Sequence, residues 1–540
     1  KGPQPMVVNR YGDWIVDPYG TIQNPAACPP GQSCVGQKTQ TAGIQEAIWY
    51  VYNVSQGGKV FIRPGQYSSS APIYVPSGIT IKGSGKGVTV VNMNANKILS
   101  WNNASNVVIE DLEIDQGALV FVTQNTHSVP SLASNLVVRR VRVYNDISNT
   151  QSVWYPNVIN GYYNVYLEDF DVIDVGTPGA SGDAMGLGGN VKLTWIGGKV
   201  YAPSNGAAGI NWQGGIASTS QPIIDYPDYS LQQPFSPSGT TGMENIDYYI
   251  EGVDVIGDVT ALSVYNPTFN MKIVNSTFYA TNNHGTLQGG IAIQGASQQS
   301  ETDTESMLFN TFEISFDDCV FIVPPNEPAI TATSLRALIK ISKSRFYIFS
   351  NWASIAAINT FVGTTILVDN SEFYAFAMPT VFSAMNTSAN YKFIGRNLAV
   401  HVFNSSGNIN YPGGGGNGLF MPSPGGHLEM IDVEGLALRS YYSVNSSYPW
   451  VLMMFYGNGT TDTTGSYIKI GKFMYKLDIF APSPGGYITS TLQTPDPERP
   501  ETWSYPFGTP SMPSSGSAVM NIYPVPALVY LYGGTVTEVQ

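Results

Sequence analysis

Charge is what this sequence has least of. Its 540 residues include 25 Lys plus Arg and 38 Asp plus Glu, a charged fraction of 12% and a net charge of −13. That fraction is about half the roughly 25% usual for soluble globular chains. An acidic chain with so few basic residues makes no nucleic-acid partner. Cysteine is almost absent, with three in all, which excludes a disulfide scaffold. Only Cys28 and Cys34 lie close enough in sequence to predict one local bond. The four histidines, at 127, 284, 401 and 427, are isolated and none has zinc spacing. No compact carboxylate cluster marks a Ca2+ site, so no metal and no cofactor is predicted. No run of 18 uninterrupted apolar residues occurs, and even the stretch 518–532 is broken by Asn521, Pro524 and Pro526. No membrane span is predicted.

What the chain has in quantity is aromatic and small polar residues. With 43% hydrophobic content, 33 Tyr, 23 Phe and 9 Trp, disorder is excluded for most of its length. A short β-rich phrase recurs from about residue 105, two apolar residues five apart with polar or small residues between them. It reads Ile109-Glu-Asp-Leu-Glu-Ile114, Val138-Arg-Arg-Val-Arg-Val143 and Leu167-Glu-Asp-Phe-Asp-Val172. Later copies start at Trp195, Ile250, Ile273, Phe316, Ile341, Val368, Phe393 and Ile431. Successive starts differ by 23 to 29 residues, with longer steps of 55, 43 and 38. A strand-and-turn unit at that period, with loop insertions, predicts a parallel β-helix whose coils stack about 4.8 Å apart. In the first three copies the residues between the apolar anchors are acidic, basic and acidic again. Stacked in register, Glu110, Asp111 and Glu113 would meet Arg139, Arg140 and Arg142, and these Glu168, Asp169 and Asp171, as ion ladders.

Ahead of the repeat, Ile44, Ala47, Ile48, Val51 and Tyr52 share one helical stripe. One helix here would cap the open end of the solenoid. It is followed by Gly57-Gly-Lys-Val-Phe-Ile-Arg-Pro-Gly-Gln-Tyr67 and a strand ending in Gly83-Ser-Gly85. This order resembles the N-terminal signature of the pectate-lyase-like superfamily of right-handed β-helices, specifically over about 41–91 and loosely to about 440. The resemblance implies an all-β, right-handed parallel β-helix. It implies little about reaction, since the superfamily includes polysaccharide lyases, polygalacturonase-like hydrolases, epimerases and viral tailspikes. Tailspike-like relatives often form parallel homotrimers, so a homo-oligomer is expected.

Three parts follow: an N-terminal arm, 1–40, with the Cys28–Cys34 bond; the β-helix, 41–440; and a C-terminal β-rich module or packing tail, 441–540. Hydrolysis of a glycoside on such a scaffold needs paired carboxylates on one face, and the best candidates are Asp174 and Asp183. Asp183 lies in Ser181-Gly-Asp-Ala184, which loosely resembles the Asp-containing turn of polygalacturonase-like enzymes. The structural alternative makes both Asp turn residues or strand caps. An aromatic row of Trp154, Tyr155, Trp195 and Trp212 would stack on pyranose rings, unless these rings fill the core. Seven sequons, at Asn53, Asn103, Asn275, Asn386, Asn404, Asn445 and Asn458, point to export and N-glycosylation. A first residue other than Met fits a mature exported chain. The paucity of carboxylates suggests tolerance of an acidic extracellular habitat. The expected function is an exported glycoprotein appendage, a viral tailspike or fibre or a cell-surface adhesin, contacting glycans on a host or cell surface. Two alternatives are a secreted polysaccharide-degrading enzyme, lyase or hydrolase, and a purely structural capsid, tail or surface-layer subunit.

Overall fold

The structure is a computed structural model describing residues 7–477, apart from connecting segments between strands, of which 214–245 is the longest. Beyond the N-terminal arm, all pairings between the described strands are parallel, and each strand pairs with its equivalent one coil away. Val138 lies opposite Ile109 on one side and Leu167 on the other, and the column continues through Trp195, Ile250, Ile273, Phe316, Ile341 and Val368. Alternation of inward apolar and outward polar residues holds each strand in that register, because a one-residue slip would turn the apolar set to solvent. The chain is therefore a parallel β-helix.

Two arrays of strands line the coils. Sheet I has 13 strands, from Ile73–Val75 to Trp450–Met453. Sheet II is bent, and its bend is set by one residue per coil in the left-handed conformation. Asp111 (φ 60), Arg140 (φ 52) and Asp169 (φ 45) take that position in the first coils. Gly197 and Gly252 follow, then Asn275, Asp318, Lys343, Asn370, Asn397 and Gly435. Gly, Asn and Asp tolerate this backbone best, which explains why they recur between the apolar anchors.

The core is one continuous cluster running from Ile44 to Leu438. Stacked coils align like with like: Phe321, Phe346 and Phe373 lie face to face with centroids 4.6 Å apart. Beside them runs a column of small groups, Ser276, Cys319, Ser344 and Ser371, in which Ser344 Oγ accepts from the Cys319 N–H at 3.1 Å. Burial pushes the Cys319 thiol up to about 12, so it serves there as a small core group and not as a nucleophile.

The helix spans Ile44–Ser55 and buries Ile44, Ala47 and Ile48. It lies against strands Gly58–Phe61 and Ile73–Val75, and Trp49 meets Trp101 edge-on at 5.1 Å. In the arm, Cys28 and Cys34 are disulfide-bonded.

Two expectations are corrected. The phrase at Phe393 is out of step, since Val368 pairs with Gly395 and Phe393 with Ile366. A side chain at 395 would meet Leu398 at 2.8 Å, so bulk from neighbours replaces the missing one. Nor do the sheets break at 440. Strand Tyr467–Leu477 pairs in parallel with Leu428–Ser440, and Trp450–Met453 with Asn417–Met421, which adds a further coil to the stack. Residues 478–540 lie outside the described residues.

Register also reveals a charge rule far longer than three coils. Lys82 and Lys86 precede the first acidic coil, and below Glu168, Asp169 and Asp171 come Lys192 and Lys199. Asp247, Glu251 and Asp254 follow, then Lys272, then Glu313, Asp317 and Asp318. Lys340, Lys343 and Arg345 come next, then Asp369 and Glu372, then Lys392 and Arg396. The last two coils carry Glu429, Asp432 and Glu434, then Lys469, Lys472 and Lys476. From Lys82 onward sign alternates coil by coil within the described strands of sheet II, with Arg439 as the one exception; the coil before Lys82 breaks the rule, since Lys59 and Lys82 lie on paired strands.

Candidate functional site

Outward positions on the two sheets differ in kind. The described strands of sheet I contain a single charged residue, Lys97, and no carboxylate. In the first coils the outward column is apolar, with Leu99, Val120 and Val158 forming a cluster separate from the solenoid core. It changes character at Gly186 and continues as Asn211, Ser263, Ala292, Thr331, Asn359 and Ser383. Ser263, Thr331 and Asn359 are buried, and Ser263 Oγ has no hydrogen-bond partner among the described residues. A buried hydroxyl without a partner costs about 1–3 kcal/mol, so this face has unused hydrogen-bonding capacity. Burial pushes the Lys97 ammonium down to about 8.

The carboxylates of the described strands sit on sheet II, and most of those in the first coils form ion pairs. Lys82 Nζ lies 3.1 Å from Glu110 and 2.6 Å from Asp111. Arg139 pairs with Glu110, Arg140 with Asp111, and Arg142 with Glu113 at 3.3 Å. Lys86, on the loop after Lys82, reaches down to Asp169 at 2.7 Å and Asp171 at 3.0 Å. The Arg140 guanidinium, assisted by Lys82, holds Asp111 at about 2 against the opposing pull of burial. Glu110 is pushed up by burial, but Arg139 and Lys82 leave it below the usual range. Charges held this tightly stabilise register and are poor proton carriers at neutral pH.

The predicted site residues do not converge among the described residues. Asp174 ends strand Tyr162–Asp174 opposite Asn145, while Asp183 lies outside the described residues. Trp154 and Tyr155 also lie outside. Trp195 is fully buried at an inward position between Leu167 and Ile250, with its ring 6.1 Å from Phe170. It fills the core and offers no face to a sugar. Trp212 shares a register position with Leu187 and Val264, both core residues. Trp195 follows apolar-in alternation, a sequence signal pointing to the core.

Among the sequons, Asn53 lies within the helix, and its Nδ2 donates to the carbonyls of Ala26 and Cys28, both at 2.9 Å. A glycan there would displace the contact that ties the helix to the disulfide loop. Asn103 is half-buried, while Asn275 is exposed at a left-handed turn (φ 47). Asn386, Asn404, Asn445 and Asn458 lie outside the described residues. His401 stacks on Tyr374 at 4.8 Å in a buried column with Tyr347.

No family model matches the chain, and no curated protein matches it. Solved structures similar to it include the A-module of the mannuronan C-5 epimerase AlgE4 of Azotobacter vinelandii, at 10% identity and TM-score 0.36, covering 82% of this chain and 98% of that one. The tailspike gp61 of Pseudomonas phage phi297 is 9% identical with TM-score 0.32, covering 81% and 79%. PfbA, a surface adhesin of Streptococcus pneumoniae, is 10% identical with TM-score 0.32, covering 85% and 91%. Likenesses this distant leave function to be argued from the chain's own residues.

Proposed function

We propose that this is an exported, glycosylated β-helix protein of a surface appendage, a viral tailspike or fibre or a cell-surface adhesin, which contacts glycans and assembles as a homo-oligomer. The observation that carries the reading is the separation of charge between the sheets. The outward positions of sheet I carry amide and hydroxyl residues and no carboxylate in the described strands, chemistry suited to hydrogen bonding sugar hydroxyls although Ser263, Thr331 and Asn359 are themselves buried. The acids of sheet II in the first coils are tied into ladders. A disulfide fits an oxidising compartment outside the cell. In this reading the helix Ile44–Ser55 caps the first end of the stack.

Purified protein screened against acidic and neutral polysaccharides should retain a glycan without releasing reducing ends or an ultraviolet-absorbing unsaturated product. Cleavage abolished by Asp174→Asn or Asp183→Asn would overturn the reading in favour of a polysaccharide-degrading enzyme. Retention of no glycan would leave a structural subunit.

A further inference from the structure

Beyond its bend, each strand of sheet II alternates core residues with outward ones. Val143, Val172, Val200 and Val255 belong to the core, so the residue after each points outward. Those residues are Tyr144, Ile173, Tyr201 and Ile256, and register sets them one above another. The column runs on from Tyr279 to His401, where its side chains are buried. Over its first four members it is open to solvent, with Tyr201 37% exposed and the other three half-buried.

Coils stack about 4.8 Å apart, so Tyr144 and Tyr201 stand roughly 9.6 Å apart with Ile173 between them. That spacing is near the length of two sugar units in an extended glycan. An aromatic ring takes the C–H face of a pyranose, while the hydroxyls at the sugar's edge need donors and acceptors. Both stand two residues away on the same outward face. Exposed Lys199 precedes Tyr201, and exposed Asp254 precedes Ile256, the two lying opposite one another in register. Arg142 and Asp171 stand likewise before Tyr144 and Ile173. Two bases and two acids therefore alternate beside the stripe, and Asp115 lies opposite Tyr144 at its upper end. Such a surface has no excess positive charge with which to hold a polyanion.

A second copy of the chain is a poorer occupant. Four side chains showing little more than a third of about 200 Å² each offer at most about 300 Å², where a stable interface takes about 800 Å² from each partner.

We propose that Tyr144, Ile173, Tyr201 and Ile256 form a stacking stripe for a neutral polysaccharide lying along the solenoid axis, with Lys199 and Asp254 hydrogen-bonding its hydroxyls. This rests on the reading of the chain as a glycan-contacting protein, and it adds a contact on sheet II to the uncharged face of sheet I.

Affinity electrophoresis of the full chain tests this, in gels containing dextran, galactomannan, xyloglucan or a mixed-linkage β-glucan, with polygalacturonate as the charged counterpart. At least one neutral polymer should retard the protein. Tyr201→Ala and Tyr144→Ala should each weaken that binding about tenfold, the loss expected of an aromatic anchor. Tyr201→Trp should keep it, and Tyr166→Ala, equally exposed but on another column, should leave it unchanged. In the wild type, nitration of Tyr201 by tetranitromethane should slow several-fold once the polymer is bound, a readout that needs no variant to fold. Binding that survives both alanine variants, with Tyr201 nitrated as fast as before, would overturn the stripe and leave the glycan reading standing. Retardation by polygalacturonate alone would overturn the neutral class, and retardation by no polymer would overturn both proposals. Self-association abolished by Tyr201→Ala would overturn the stripe as a sugar site and give it to a second copy.

Discussion

At Asp111 a left-handed backbone and two basic neighbours act on one carboxylate. Its φ of 60 is a conformation that Asn also tolerates, so Asp111→Asn removes the charge and leaves the turn. Arg140 and Lys82 hold the carboxyl at about 2, below its ordinary 3.8. A depressed carboxylate contributes stability above its unfolded value and loses it as pH falls through the folded one. Asp111→Asn should therefore cost on the order of 2 kcal/mol at pH 7, and the difference should shrink between about pH 4 and pH 2. Thermal unfolding of both proteins at pH 7, 4 and 2 measures this, and a gap that does not change with pH would refute it. The same pairing sets a limit on the acid tolerance expected from composition. Carboxylates are few, but those in the first coils work as ladder partners, so each one protonated removes a contact.

Strand Ala133–Asn145 shows the rule at the scale of an element. Its three arginines lie between two acidic strands, and Glu110, with a side chain only 3% exposed, depends on Arg139 and Lys82 for its partners. Exposed pairs contribute about 0–1 kcal/mol each, whereas removing the partner of a buried charge costs about 3–5 kcal/mol. Arg140→Ala removes the first partner of Asp111, which is 17% exposed and keeps Lys82, so it should cost part of the roughly 2 kcal/mol that Asp111→Asn costs. Arg139→Ala should change it more, and Glu at all three positions, which sets three acidic coils in succession, should cost most. Denaturant midpoints of the three variants check the order. A triple variant as stable as the wild type would show that the ladders do not hold the register.

At the scale of the whole molecule, charge and aromatic stacking can be set against each other. Thr365 pairs with both Leu338 and Lys392, so residues 338–364 are one coil of 27 residues and 338–391 are two, or 54. Deleting one coil brings Asp317 and Asp318 beside Asp369 and Glu372 but lays Phe321 against Phe373, which preserves the ring stack. Deleting two restores acid against base, with Asp317 beside Arg396, but sets Phe321 against Val400. If alternation governs coil pairing, the shorter chain is the better folded, with the higher melting temperature and yield. The opposite order would assign that role to the rings.

The parallel β-helix was legible in the sequence because its signal is local and repeated: two apolar anchors five apart, a turn residue between them and a helix ahead. Cys28–Cys34 was legible for the same reason, since the two lie only six positions apart. The first ladders could be read because three coils happen to have nearly equal length. Steps of 55, 43 and 38 residues hide the rest, as insertions shift the charges in sequence without shifting them in register. Trp195 could not be placed from composition, which does not say which way a ring points. Inward alternation puts Trp195 in the core, between Leu167 and Ile250. The uncharged face of sheet I had no motif to find, being single polar residues between apolar ones in strands far apart along the chain. Stacking alone brings Ser263, Thr331 and Asn359 into one line, because in a solenoid side chains become neighbours through register and not through nearness in sequence.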